Sequence, residues 1–231
     1  SVYSSFLQRA YDQINHDMAR MDLPVVVGID RAGLVGDDGD THQGVFDISM
    51  LRSIPKLILS QPHDAKEAQN LLYTAFVSQK PFCIRYPRGN VHYDKVDQYE
   101  LIPIGSWTRY DIGDKPICIV ISYGYDVDNV IHKAKENNIS MIVINARFFK
   151  PIDTIMINEL CSYDLPIYVY ETDCKIGSLS SAILEYINTQ KHILNTIGIE
   201  DHFVNHGSIR TLRIQEHIDT QSLFKEIIEN D

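Results

Sequence analysis

Short apolar runs that alternate with helix-like patterns are the feature that most constrains the fold of this chain. The first three runs cover 25–29, 57–59 and 81–86, and each has the length of a buried strand. Between the last two runs, Asp64 and Glu67 form a capping box ahead of an amphipathic stripe, which predicts a helix. Strand, helix and strand in this order form a βαβ unit, so we predict a parallel sheet.

A second series of elements follows a polar stretch from Asn90 to about Pro116. Its predicted strands are 117–121, 141–145, 166–170 and a short one near Ile197, and its predicted helices end near Asn137 or cover 153–161, 178–190 and about 220–229. We therefore predict an α/β protein of two three-layer α/β modules with mostly parallel sheets. The predicted domains are 1–95 and 116–231, joined by a linker over 96–115.

The N-terminal stretch has apolar residues at three- and four-residue spacing, which predicts one amphipathic helix before the stop at Leu23-Pro24. On spacing alone, Tyr3 and Phe6 are more typical of core residues than of a ring-stacking platform. The sequence starts at Ser1 without Met and enters the helical pattern almost at once. We therefore expect the N-terminus to be a cut end.

Composition narrows the classes of function. At 231 residues and 44% hydrophobic, the chain can bury a substantial core. Its formal charge of -10 argues against general nucleic-acid binding, which needs clustered Lys and Arg. The four cysteines show no C-x-x-C spacing and sit mostly in apolar runs, which is typical of a reducing cytoplasm. No apolar run approaches the ~20 residues of a membrane span, so no membrane association is predicted.

Charged residues follow two predicted parallel strands. Arg31 comes directly after the strand at 25–29, and Arg88 follows the strand at 81–86 in a Tyr-Pro-Arg-Gly turn whose proline fixes the backbone. Ligands bind at this edge of open α/β sheets, and two guanidinium forks can hold a phosphate or carboxylate. The alternative is a pair of surface arginines that bind acidic side chains, and composition favours neither.

The loop over 30–47 adds further groups to this edge. His42 could move protons at a carbonyl or hydroxyl oxygen at neutral pH, although most single histidines are surface or capping residues. A metal site made by His42 with Asp37, Asp38 and Asp40 is the weaker option, because the acids lack calcium-loop spacing. We therefore predict no metal ligand in this chain.

Four segments closely resemble the 1-deoxy-D-xylulose-5-phosphate synthase family. They are Tyr-Ser-Ser-Phe-Leu-Gln-Arg-Ala-Tyr-Asp-Gln (3–13), Ile-Asp-Arg-Ala-Gly-Leu-Val-Gly-Asp-Asp-Gly-Asp-Thr-His-Gln-Gly (29–44), Arg-Tyr-Pro-Arg-Gly-Asn (85–90) and Arg-Phe-Phe-Lys-Pro-Ile-Asp (147–153). This family depends on thiamine diphosphate and is related to transketolase. The resemblance therefore implies part of a transketolase-type pyrimidine-binding domain followed by a transketolase C-terminal domain, in a cytoplasmic, homodimeric transferase that uses thiamine diphosphate and Mg²⁺.

The resemblance also implies a reaction and a role for each matching residue. The reaction condenses pyruvate with glyceraldehyde 3-phosphate with loss of carbon dioxide, in the methylerythritol phosphate pathway to isoprenoid precursors and in thiamine and pyridoxal biosynthesis. The implied roles are phosphate binding by Arg31 and Arg88, positioning of the acceptor or the loop by Asp38, proton transfer by His42, stacking on the cofactor's aminopyrimidine ring by Phe6, and lining of the substrate pocket by Tyr3 and Arg9.

Two departures from the family limit what this chain can do. The family's activating glutamate and its Mg-diphosphate site lie upstream of the segment that resembles 3–13, so the implied partner is the N-terminal portion of the same enzyme. We expect this chain alone to be inactive. The family's Glu-Glu and Gly-Gly-x-Gly-Ser runs are replaced around 171–178, where we expect weakened anion or interface contacts.

Two other functions remain open at this point. A truncated paralogue could serve as a non-catalytic interaction module. The chain could also belong to another thiamine enzyme, such as transketolase or the β subunit of a 2-oxo acid dehydrogenase.

Overall fold

The computed structural model describes residues 1–91, 98–187 and 194–230. The start of the predicted linker and the end of the helix predicted over 178–190 lie outside the described residues. The strands are β1 (Val2–Tyr3), β2 (Val26–Asp30), β3 (Ile58–Ser60), β4 (Phe82–Tyr86), β5 (Thr108–Ile112), β6 (Cys118–Ser122), β7 (Met141–Asn145), β8 (Phe148–Lys150), β9 (Ile167–Cys174) and β10 (Leu194–Ile199). The α-helices are α1 (Ser4–Leu7), α2 (Asp47–Arg52), α3 (Ala65–Ser78), α4 (Asp126–Glu136), α5 (Thr154–Leu160), α6 (Leu179–Ile187), α7 (Ile209–Gln215) and α8 (Thr220–Glu229).

The first sheet has the spatial order β1-β2-β4-β3-β8. Its first four strands are parallel, and β8 runs antiparallel to β3. Ile29, Leu59 and Phe82 are fully buried, as expected for a parallel sheet covered on both faces. The helix between β3 and β4 begins at the predicted capping box, where the Glu67 amide donates to the Asp64 carboxylate (2.6 Å). The predicted βαβ unit is confirmed.

The second sheet has the order β10-β9-β6-β7-β5, and all its pairs are parallel except β5 with β7. Strand β5 lies inside the stretch 96–115 that the sequence predicts as a linker. Its residues are mostly half-exposed because it is an edge strand, so no apolar run marked it in the sequence. The predicted fold class, two α/β modules with mostly parallel sheets, is confirmed.

The two modules interlock through β8, which follows β7 in the chain but joins the first sheet. Phe148 on this strand is fully buried and packs against Phe82 with 6.3 Å between ring centroids. The Trp107 indole donates to the Phe148 carbonyl (2.9 Å). The larger core cluster accordingly contains residues of both sheets, including Leu59 and Ile144.

The N-terminal stretch differs from the single regular helix that its spacing predicts. It starts as an α-helix over α1, continues as a 3-10 turn over Gln8–Ala10, and has π-helical bonding over Gln13–Ala19. Leu7 and Ile14 are buried as the spacing predicts, but Phe6 is 41% exposed. The prediction from spacing that Phe6 is a core residue is therefore wrong, because its ring packs against Tyr3 and His42 instead.

Candidate active site

The two arginines that the sequence singled out lie at the same edge of the first sheet. Strand β2 ends at Asp30, which pairs in parallel register with Tyr86 at the end of β4. The Ala32 amide then donates to the Tyr86 carbonyl (3.0 Å), so the chain stays beside β4 as it leaves the strand. This arrangement brings Arg31 and Arg88 to the carboxyl ends of neighbouring parallel strands.

Both guanidinium groups bind the carboxylate of Asp38. Nη1 of Arg31 forms a close ion pair with Oδ2, and Nη1 of Arg88 lies 3.2 Å from Oδ1. Arg88 also donates to the Val35 carbonyl (3.3 Å) and keeps 45% of its side chain exposed. The two positive charges therefore converge on one point, where together with Asp38 they leave a net positive charge.

Asp38 is held as an anion by its neighbours. Partial burial alone would raise the pKa of its carboxyl group. The hydrogen bond from the Tyr3 hydroxyl (3.1 Å) and the charges of Arg31 and Arg88 outweigh burial, so the pKa lies below its usual value. Burial and the bond to Asp38 raise the pKa of Tyr3, which therefore remains a hydrogen-bond donor at neutral pH.

Three rings extend the site from Tyr3. The Arg31 guanidinium stacks on the Tyr3 ring, with 4.5 Å from Cζ to the centroid. Tyr3 contacts Phe6 (5.3 Å between centroids), and Phe6 contacts His42 edge-on (5.4 Å). The Arg9 guanidinium lies 5.7 Å from the centroid of Phe6. All seven residues that the sequence proposed for the site thus form one continuous cluster.

His42 sits where the 30–47 loop passes the N-terminal rings. One of its nitrogens, Nδ1, shares a hydrogen bond with the Thr41 hydroxyl (2.9 Å). Among the residues that the structure describes, no hydrogen bond to Nε2 is found. That nitrogen can therefore exchange a proton with a ligand placed against Phe6 and Tyr3.

Glycines and a strained turn shape the 30–47 loop. Gly33 and Gly44 exchange two backbone hydrogen bonds (2.7 and 2.8 Å), which close the loop at its base. A side chain at Gly44 would collide with the Arg31 carbonyl and with Ser4, so only glycine fits there. Arg31 itself has φ of 54°, a left-handed conformation that is uncommon for a non-glycine residue and that the surrounding loop must hold in place.

The second module supports the same loop from the other side. The Cys174 amide donates to the Val45 carbonyl (3.1 Å). The Gln43 side chain accepts from the Val35 amide (2.9 Å) and donates to the Asn205 carbonyl (3.1 Å). The loop is therefore packed between the modules.

Sequence reasoning missed a buried arginine in β4, the strand that leads to Arg88. Arg85, three residues before Arg88, is fully buried and bound by Asp47 and by Asp173 of the second module. A charged residue inside an apolar strand run is the signal that could have found it, because a buried arginine needs a carboxylate partner. Asp173 lies in the segment for which weakened contacts were expected, yet it makes this buried ion pair.

Two family models match the chain. They are described as "Transketolase, pyrimidine binding domain", over residues 1–93, and "Transketolase, C-terminal domain", over residues 112–221. The chain belongs to the transketolase family. The predicted domain bounds of 1–95 and 116–231 stay predictions.

Within this family the chain is similar to curated 1-deoxy-D-xylulose-5-phosphate synthases. It is 41% identical to the synthase of Aquifex aeolicus over 234 residues and 38% identical to that of Bacillus cereus over 237, each match covering 98% of this chain and 37% of the relative. It is 42% identical to the Listeria welshimeri synthase over 218 residues, covering 90% of this chain and 34% of the relative. The resemblance predicted from the sequence is confirmed, and the chain spans about 37% of the length of these relatives.

A solved structure confirms the transketolase-type fold. It is named "Split gene transketolase, inactive beta4 tetramer" and superposes with a TM-score of 0.80 at 19% identity, covering 98% of this chain and 73% of that chain. At this identity the match supports the fold alone.

The site residues of this transketolase-family chain fit one end of the family's cofactor. The exposed ring of Phe6, flanked by Tyr3 and His42, can stack on a planar heterocycle. In the described residues no group of three or more His, Cys, Asp or Glu side chains could hold a metal ion. The alternative metal site of Asp37, Asp38, Asp40 and His42 is thus not among the groups that the described residues bring together.

No helix in the described part of the chain is long and apolar enough to cross a membrane.

Proposed function

We propose that this chain is the acceptor-binding part of a 1-deoxy-D-xylulose-5-phosphate synthase. The complete enzyme condenses pyruvate with glyceraldehyde 3-phosphate and releases carbon dioxide, a step that supplies isoprenoid precursors and thiamine and pyridoxal biosynthesis. In this proposal residues 1–95 belong to the pyrimidine-binding domain and 116–231 to the C-terminal domain, and the linker 96–115 adds β5 to the sheet of the C-terminal domain. The similarity to the synthases over 98% of the chain supports this choice within the family.

The convergence of Arg31 and Arg88 on one point carries the proposal. Two guanidinium groups at neighbouring strand ends can bind a phosphate through several charge-assisted hydrogen bonds, which a scattered surface arginine does not do. Their shared contact with Asp38 indicates where an anionic oxygen is stabilised. In our proposal the phosphate of the acceptor competes with Asp38 for these groups.

The remaining residues act at the other end of the acceptor. His42 moves a proton at the acceptor's carbonyl oxygen, which becomes a hydroxyl in the product. Asp38 and Tyr3, joined by their hydrogen bond, orient the acceptor and the loop. Arg9, next to Phe6, lines the substrate pocket and offers a charge for the carboxylate of pyruvate.

Phe6 is the residue of this chain that would hold the cofactor. Its ring would stack on the aminopyrimidine of thiamine diphosphate. When bound, thiamine diphosphate supplies the nucleophilic carbon and the electron sink that decarboxylation of a 2-oxo acid requires. Tyr3 and His42, which flank Phe6, would border the stacked aminopyrimidine.

We further propose that the chain is inactive alone and works with the N-terminal portion of the same enzyme, which brings most of the cofactor site and Mg²⁺. The relatives are much longer than this chain, and the name of the similar split transketolase describes an inactive tetramer. A homodimer in a reducing cytoplasm completes the proposal. Cys83, Cys161 and Cys174 are free thiols, which is consistent with that compartment.

A chimera tests the proposal directly. The matching 234-residue segment of the Aquifex aeolicus synthase is replaced by this chain, and carbon dioxide release from pyruvate is measured with and without glyceraldehyde 3-phosphate. We expect release that depends on the acceptor. A folded, cofactor-loaded chimera without this activity would favour the non-catalytic module, and activity with a sugar-phosphate donor instead of pyruvate would favour a transketolase.

A further inference from the structure

Arg85 is the most completely bound charged residue at the site edge of the first sheet. Only 1% of its side chain is exposed. Nε and Nη2 donate to the two oxygens of Asp47, each at 2.9 Å. Nη1 and Nη2 donate to the two oxygens of Asp173 at 3.0 and 2.7 Å, and Nη1 also donates to the Gln61 amide oxygen at 2.7 Å.

These bonds use the whole donor capacity of Arg85. A guanidinium group has five N–H donors, and each of the five hydrogen bonds above takes one of them. Arg85 therefore has no donor left for a substrate anion. It differs in this from Arg88, three residues later, which is half-exposed at the site.

The partners of Arg85 lie at both ends of the 30–47 loop. At its start, Ile29 and Asp30 pair with Arg85 and Tyr86 across β2 and β4. At its end, Asp47 is the first residue of α2 and is held by Arg85 through a two-bond fork. The loop that carries Arg31, Asp38 and His42 is thus anchored at both ends to one two-residue segment of β4.

Asp173 connects this anchor to the second module. It lies near the end of β9, and the next residue, Cys174, donates its amide to the Val45 carbonyl of the loop. Arg85 thus faces two carboxylates with one positive charge. The Tyr123 hydroxyl donates to Asp173 (2.5 Å) and so helps to stabilise its carboxylate there. Buried ion pairs contribute little net stability, and fixing one arrangement is their best-supported use.

We propose that Arg85 is a positioning residue through which Asp173 of the second module fixes the 30–47 loop and the aim of Arg88. Its fork locks the end of β4 and the start of α2 together, and the ion pair with Asp173 locks both against β9. The inference rests on the proposed function only in naming the phosphorylated acceptor as what the positioned site binds.

Hydrogen exchange of the whole chain tests this positioning without any activity. Asp173→Asn replaces one acceptor oxygen by an NH₂ group and removes the charge that faces Arg85. The amides of Gly33, Val35 and Gly44 are hydrogen-bonded inside the loop and report on its order. We expect them to exchange at least about tenfold faster in the variant, while amides of β6 and β7 keep their rates.

Glu67→Gln is the matched control. Glu67 is another buried carboxylate that binds an arginine of the second module, Arg147 (3.1 Å). Among the described residues, none of its hydrogen bonds reaches the 30–47 loop. We expect its loop amides to exchange at the wild-type rate. Unchanged loop exchange in Asp173→Asn, or an equal acceleration over both sheets and in the control, would overturn the proposal.

A second variant separates the fork from the charge. Arg85→Lys keeps the positive charge but cannot make two-bond contacts with both carboxylates, so we expect the loop amides to exchange faster than in the wild type. Wild-type loop exchange in Arg85→Lys would contradict positioning by the fork.

In an active chimera, Asp173→Asn should raise the KM for the acceptor about tenfold and leave the KM for pyruvate unchanged. Equal changes in the two KM values would contradict the positioning role. An inactive chimera would refute the proposed function and leave the exchange result to decide this proposal.

Discussion

Arg31 and Arg88 leave the ends of two neighbouring parallel strands and bind opposite oxygens of a single carboxylate, that of Asp38. Neither arginine is locked in the core, since both keep a quarter or more of their side chain exposed. The site therefore has a net positive charge that can bind a phosphate. To contact both arginines, the phosphate must displace the carboxylate of Asp38.

The competition predicts the effect of Asp38→Asn on phosphate binding. The change keeps the shape of the side chain but removes the negative charge between the two arginines, so inorganic phosphate should bind the chain about three- to tenfold more tightly. The measurement is the rise in melting temperature with added phosphate at constant ionic strength. Asp37→Asn, an exposed neighbour, is the control, and an equal rise in both variants would show that Asp38 does not occupy the anion position.

His42→Ala tests proton transfer. Because the His42 ring lies against Phe6 and Tyr3, where we propose that the acceptor's carbonyl binds, the change should lower kcat of the chimera by roughly 100-fold or more and leave the KM for the acceptor nearly unchanged. His132→Ala, on the exposed face of α4, provides the comparison. A normal kcat in His42→Ala would show that His42 does not transfer a proton in the reaction.

His63 predicts how stability depends on pH. Its Nδ1 lies 3.2 Å from Asp128 of the second module and its Nε2 lies 3.5 Å from Asp64, with Glu67 and Tyr110 also facing it. Burial lowers the pKa of His63, but the bond to Asp128 and the nearby carboxylates outweigh it, so the pKa is raised above 6.5. Its contribution to the free energy of unfolding is therefore complete below about pH 6.5 and is lost as the pH rises through the raised pKa.

Urea unfolding across that pH range measures the effect. His63→Asn should remove the decline in stability that the wild type shows above about pH 6.5. His132→Asn, whose exposed ring pairs with Glu136 on the same helix, should retain the wild-type profile. Identical profiles for wild type and His63→Asn would contradict the assignment.

Phe148→Ala tests whether the modules unfold together. Phe148 is fully buried on the strand that the second half contributes to the first sheet, so its truncation should lower the free energy of unfolding by about 3–5 kcal/mol. Trp107, the single tryptophan, binds the Phe148 carbonyl and reports this junction by fluorescence. We expect its transition to coincide with that of circular dichroism, and Ile155→Ala, 83% exposed, to change little. Two separate transitions would show that the modules unfold independently.

The sequence predicted the parts of this molecule that local patterns encode. Apolar runs marked β2 and β4, and the charged residues directly after them could be placed at one sheet edge because parallel strands end together. The edge strand β5 was missed because half-exposed residues carry no apolar run. The ion pair of Arg85 with Asp173 joins residues 88 positions apart, and no local pattern around either residue indicates its partner. The contacts of Phe6 with Tyr3 and with His42 of the 30–47 loop likewise cannot be read from apolar spacing.

The most direct test of the central claim compares acceptors with and without a phosphate. In the chimera, kcat/KM is measured for glyceraldehyde 3-phosphate and for glyceraldehyde, before and after Arg88→Ala. One lost charge-assisted contact, roughly 1.5–3 kcal/mol, should lower kcat/KM for the phosphorylated acceptor by about 10- to 150-fold and leave that for glyceraldehyde almost unchanged. An equal loss for both acceptors would show that Arg88 does not bind the phosphate.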